Sequence, residues 1–200
     1  MKPVIYFLAV LMTVSFISHS AYAVPHTYIA NLTPQNEVPP TASNGSGQGV
    51  IVLDAQAQTF QISITFSGLT TNTVAAHIHC CLPSSFQTGV NVGVATTVPA
   101  FVGFPLNVTS GSYVSQVFDL SQALIYNPAF VTAQGGIPQA EAAFINGIQN
   151  GLTYLNLHTV MFGGGEIRGF VTAVPEPGTL FLLVIGLVAI CLLKRKTELS

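Results

Sequence analysis

Between residues 59 and 67 the chain reads T-F-Q-I-S-I-T-F-S, with Phe60, Ile62, Ile64 and Phe66 alternating with Gln61, Ser63 and Thr65. A period of two in β-branched and aromatic residues predicts an antiparallel strand with one face on a core and one toward water. The same logic predicts strands at Thr27–Leu32, Gly47–Leu53 and Val74–His79, and an edge strand at Ser112–Phe118. Residues 83–111 are rich in Pro, Gly and Thr and read as loop. Leu152–Val160 and Glu166–Thr172 read as two strands joined by F-G-G-G, a hairpin signal. A helix is predicted over Ile137–Gly151: Pro138 suits its first turn, Gly151 its C-terminal cap, and Ala140, Phe144 and Ile148 share one face. About seven short strands with one inserted helix near 138–150 predict an all-β fold, an antiparallel β-sandwich.

The two ends break this pattern. An apolar run from Val4 to about Ile17 follows Lys2 and exits through Ala21-Tyr22-Ala23. Small residues at Ala21 and Ala23 form a signal-peptidase cleavage site, so residues 1–23 are expected to be a signal peptide and the mature chain to start at Val24. At the other end Thr179–Leu193 carries no charge and is followed by Lys194, Arg195 and Lys196. This predicts a transmembrane helix over 179–193 whose basic end stays in the cytoplasm. The organisation expected is signal peptide 1–23, domain 24–174 and tail 175–200.

Charge then excludes one class of partner. Within 24–174 the acids are Glu37, Asp54, Asp119, Glu141 and Glu166, and Arg168 is the lone Lys or Arg. Nucleic-acid binding needs basic contacts to phosphates, so no nucleic-acid partner is expected. Cysteine usage matters as well. Cys191 lies in the tail, which leaves Cys80 and Cys81 adjacent in the domain. In an oxidising compartment they can form a vicinal disulfide, stay as thiols, pair between molecules or bind metal.

Strand parity collects the candidate chemistry. In 74–79, Val74, Ala76 and Ile78 share one face, and Ala75, His77 and His79 share the other. In 154–159, Leu155 and Leu157 oppose Tyr154, Asn156 and His158. In 166–171, Ile167 and Val171 oppose Glu166, Arg168 and Phe170. If these strands are neighbours, three histidines meet a polar network of Asn156, Glu166, Arg168 and the turn residue Glu37. His-x-His on a strand sets two imidazoles side by side, as copper or zinc sites need, and His158 offers a third ligand. The competing reading makes these histidines part of a hydrogen-bonded network that holds the sheet. A third is recognition of a ligand or partner. No paired carboxylates, no G-x-S-x-G and no phosphate loop mark a catalytic site.

Two resemblances follow from longer motifs. Pro175-Glu176-Pro177, an apolar helix and the basic Lys194-Arg195-Lys196 end resemble the PEP-CTERM sorting signal of Gram-negative bacteria. That resemblance implies processing by an exosortase in addition to signal peptidase. It also implies transient residence in the inner membrane and delivery to the cell surface or an exopolysaccharide matrix. N-L-T-P-Q-N-E-V-P-P (31–40), S-G-L-T-T-N-T-V-A-A-H-I-H (67–79), Y-L-N-L-H-T (154–159) and G-G-E-I-R-G-F-V (164–171) together resemble the CHRD domain of chordin and bacterial secreted proteins. The resemblance implies a β-sandwich and no settled activity. The departure is Cys80-Cys81, where many members carry a glycine-type turn. The leading expectation is a non-enzymatic surface or matrix binding module, with exopolysaccharide or surface proteins as partners. The alternative is a secreted copper- or zinc-binding protein using His77, His79 and His158, with redox activity in its range.

Overall fold

The alternating stretch at 59–67 forms the longest ladder of the fold. The computed structural model describes residues 25–175, together with 178, 183, 185–188 and 190. The strands are β1 (His26–Leu32), β2 (Ser46–Asp54), β3 (Thr59–Ser67), β4 (Thr73–Cys80), β5 (Gly111–Val114), β6 (Phe118–Asp119), β7 (Thr153–Thr159), β8 (Ile167–Phe170) and β9 (Thr172–Ala173). The helices are α1 (Pro128–Gln134) and α2 (Ile137–Gln149). One antiparallel sheet runs β5-β3-β2-β1-β9, with β6 also on β3, and a second runs β4-β7-β8. The fold class is all-β, two facing antiparallel sheets, as the patterning predicts.

The core lies between the sheets. Ala30, Leu32, Ile51, Leu53, Phe60, Ile62 and Ile64 come from the large sheet and meet Ala76, Ile78, Leu155, Leu157 and Ile167 from the small one. Each fully buried Ile, Leu or Phe contributes about 1.5–3 kcal/mol relative to exposure. Gly49 is needed in β2 because Leu155 Cδ2 lies 2.6 Å from where its Cβ would stand. The core residues of the described chain all fall between Tyr28 and Val171, so this segment carries its own closed core.

β8 and β9 are one run of chain passing between sheets. The chain leaves the small sheet at Val171, whose N–H donates to the Thr153 carbonyl, and pairs with β1 through Thr172 and Ala173. Thr33 bridges Arg168 across the seam. The predicted strand Glu166–Thr172 is therefore two short strands.

α2 packs Ala140, Phe144 and Ile148 into the core, the face expected, and Phe144 meets Phe60 at 5.6 Å between ring centroids. α1 was not expected. Asn127 caps it by accepting from the Ala129 N–H, Pro128 opens it, and Gly135 closes it at φ 92. Ala21 and Ala23, and the tail residues Glu176, Pro177, Lys194, Arg195 and Lys196, lie outside the described residues, while Pro175 is their last continuous residue. Among the described residues no helix is long and apolar enough to cross a membrane, and the span expected at 179–193 falls largely outside them.

Candidate metal centre

The outer face of the small sheet carries the histidines. β4 and β7 pair so that His77 faces Asn156, His79 faces Tyr154, and Ala75 faces His158. β7 and β8 pair Asn156 with Arg168 and Tyr154 with Phe170. His77, Asn156 and Arg168 thus form one row across the sheet, and His79 and Tyr154 begin the next. Val74 departs from its expected place: a register shift between Thr73 and Ala75 leaves it exposed.

The three imidazoles converge. One ring nitrogen from each of His77, His79 and His158 lies within 4.8 Å of those of the other two. Among the described residues this is the one such cluster of His, Cys, Asp or Glu side chains. The other nitrogens are fixed by the backbone. Nδ1 of His77 lies 3.0 Å from the Pro99 carbonyl, Nδ1 of His79 2.7 Å from that of Val92, and Nδ1 of His158 3.0 Å from that of Gly163. A carbonyl only accepts, so each Nδ1 carries the proton and each Nε2 keeps its lone pair. All three Nε2 atoms are buried without a hydrogen-bond partner. This is the arrangement by which proteins fix the tautomer and aim of metal-binding histidines.

Electrostatics keeps the rings uncharged. Burial, then the neighbouring His158 and His79, pushes His77 down to about 3. Burial pushes His79 to about 4 against its bond to Val92, and burial lowers His158. Behind the rings stands a stack that the motifs did not mark. Tyr154 lies parallel to His79, 4.6 Å between centroids and 9° apart, and the Arg168 guanidinium sits 4.6 Å from the Tyr154 ring centre. The Val92 N–H donates to the Tyr154 hydroxyl at 3.2 Å, so one loop residue holds both His79 and Tyr154.

Arg168 is 1% exposed. Its Nε donates to the Asn36 carbonyl, and its Nη1 to the Asn91 side chain at 2.9 Å and the Val90 carbonyl at 3.3 Å. Glu37 Oε2 lies 3.7 Å from Nε. Burial raises the Glu37 carboxyl to about 7, against the pull of Arg168 and a hydrogen bond from Asn156. Gly165 (φ 127) makes room for this group, because a Cβ there would stand 2.6 Å from the Asn156 amide and 2.7 Å from Glu37 Oε2. A cleft of about 360 Å³ runs alongside, between residues 37–42 and 161–165.

Glu166 does not join the network in which parity placed it. Its N–H donates to the Leu157 carbonyl although Ile167 is the residue paired with Leu157, and this irregularity turns the side chain off the histidine face. Its carboxylate accepts from Ser43 Oγ at 2.5 Å, the Thr70 N–H at 2.6 Å and Thr159 Oγ1 at 2.5 Å. Burial would raise this carboxyl, but those hydrogen bonds outweigh it and hold it below the usual range. Cys80 and Cys81 also sit apart from the histidines. They are joined as a disulfide, and the Cys80 sulfur packs under α2 at Gly147.

A family model for the CHRD domain matches residues 28–171. The chain belongs to the CHRD-domain family. A second model, for the PEP-CTERM protein-sorting motif, matches residues 173–196. No curated protein and no solved structure matches the chain. The sorting motif implies an exported protein with membrane-anchored processing by an exosortase in a Gram-negative bacterium. Within the CHRD domain the histidine cluster draws on β4 and β7, while its aim comes from loop carbonyls at 92, 99 and 163.

Proposed function

We propose that this CHRD-domain protein holds one transition-metal ion, copper or zinc, outside the cytoplasm through Nε2 of His77, His79 and His158. The observation that carries the reading is the three buried, converging Nε2 atoms without a partner. A network built only to hold the sheet would satisfy both nitrogens of each ring, because an unmet buried polar atom costs about 1–3 kcal/mol. Here the Nδ1 atoms are satisfied and the Nε2 atoms are left as a set. The domain, signal-exported and sorted to the envelope, then serves as a surface or matrix metal-binding module.

A second reading keeps the metal incidental. The cleft between 37–42 and 161–165, with exposed Met161 on its wall, favours a binding module for exopolysaccharide or surface proteins. Elemental analysis separates the two. Residues 24–174, exported to the periplasm and purified without a histidine tag, should carry near one equivalent of copper or zinc. His158→Ala should lose it while staying folded. A folded domain that takes up neither metal when supplied would leave the binding-module reading.

A further inference from the structure

We infer that the three-histidine site is built for copper in its monovalent state, Cu(I), in preference to Zn(II) or Cu(II); this rests on the metal reading above and names the ion. The donors are three neutral imidazoles. No Asp, Glu or Cys joins them among the described residues, and Cys80 and Cys81 are tied to each other. A divalent ion would therefore keep its full double charge in a place where the donor atoms are cut off from water. Burying uncompensated charge is costly, and the cost rises steeply with its magnitude.

The surroundings add to this preference. The fixed positive charge closest to the stack is Arg168, one aromatic ring removed from His79: guanidinium on Tyr154 at 4.6 Å, Tyr154 on His79 at 4.6 Å. Its countercharge, Glu37, lies on the Arg168 side, 3.7 Å from Nε. Coordination number points the same way. Zinc in proteins fills four positions and takes water as the fourth where three histidines hold it, whereas Cu(I) needs no fourth ligand in a site closed to water. Asn156, opposite His77, has an unpartnered buried oxygen that is uncharged, and the Glu37 carboxylate, which also keeps one, stands behind Asn156 and faces Arg168.

Coulomb energy is linear in charge, so any fixed charge acts twice as strongly on a divalent ion as on a monovalent one. If Glu37→Gln weakens Cu(I) by some factor, it should weaken Cu(II) by about the square of that factor. A tenfold gap between the two changes is a rise of about 59 mV in reduction potential.

The test is chelator competition on residues 24–174 at pH 8, where the Glu37 carboxyl is ionised. Cu(I) is presented air-free with ascorbate, and Cu(II) and Zn(II) separately. The expected result is one Cu(I) per chain, held at least 100-fold more tightly than either divalent ion, with the reduction potential rising in Glu37→Gln. Zn(II) or Cu(II) bound as tightly as Cu(I) would overturn the inference and leave the metal reading standing. Failure to bind any of the three would overturn both. The ranking is read on the wild-type protein, so it does not depend on the variant folding.

Discussion

Acidifying the metal-free domain reads the histidine geometry through folding stability. Burial brings His77 from 6.5 to about 3 and His79 to about 4, and lowers His158. In the unfolded chain all three rings take a proton below about 6.5. Each proton bound only by the unfolded state lowers stability by about 1.4 kcal/mol per pH unit. The histidine contribution is therefore intact above the unfolded value and is lost as pH falls toward the folded ones. The groups facing the rings are Tyr154, which burial keeps uncharged, the Arg168 guanidinium and Glu37. Glu37 acts in the opposite sense. Raised from 4.5 to about 7, it holds a proton in the fold that the unfolded chain releases, so it adds stability as pH falls through that window. His77 and His79 against Glu37 leave one proton, a net loss of roughly 1–1.5 kcal/mol between about pH 6 and 5, and His158 acts in the same direction as the other two rings. A domain of this size holds about 5–15 kcal/mol in all, so the loss is readily measured. The assay is urea denaturation of metal-stripped residues 24–174 at pH 7, 6 and 5, followed by far-ultraviolet circular dichroism. His77→Gln should reduce the slope by about 1.4 kcal/mol per pH unit. Stability unchanged between pH 6 and 5, or a slope that His77→Gln leaves intact, would refute the claim that these rings are buried uncharged.

Three further outcomes follow from other parts of the molecule. Gly147→Ala places a Cβ 2.6 Å from the Cys80 sulfur and should destabilise the domain by about 1–3 kcal/mol despite alanine's better helix propensity, seen as a lower melting temperature. Glu166→Gln turns one of the two carboxylate oxygens, Oε1 bound by Ser43 and the Thr70 N–H or Oε2 bound by Thr159, into an NH2 that cannot accept, and should cost about 1–3 kcal/mol. Because Glu166 lies off the histidine face, metal content should not change. Glu176→Ala in the sorting motif should leave full-length tail on the protein in the membrane fraction, read by immunoblot against the C-terminus.

How far the chain could be read in advance differs from element to element. Thr59–Ser67 is legible because one face is wholly apolar and the other wholly polar, and its boundaries match β3. α2 is legible from Ala140, Phe144 and Ile148 at helical spacing. α1 is too short for periodicity to speak, although Asn127-Pro128 and Gly135 are a start and stop signal that could have found it. β6 and β9 are two residues each and exist only because a longer strand offers them an edge. Parity brings His77, His79, His158, Asn156 and Arg168 to one face, where the structure has them. It misplaces Glu166, because a local irregularity before Ile167 breaks the alternation on which parity depends. Nothing local marks Val92, Pro99 and Gly163 as partners of the rings, since their carbonyls act through the backbone. Nor does the pattern foretell the Arg168–Tyr154–His79 stack, which depends on the register of three strands at once.

The most direct measurement is X-ray absorption at the copper and zinc edges on residues 24–174, loaded with one equivalent of either metal. Three histidine ligands predict a shell of nitrogen scatterers at about 2.0 Å with the outer-shell signature of imidazole. That shell should lose one imidazole in His158→Ala. A sulfur shell near 2.3 Å, or an oxygen-only shell that His77→Ala and His158→Ala leave unchanged, would contradict the account.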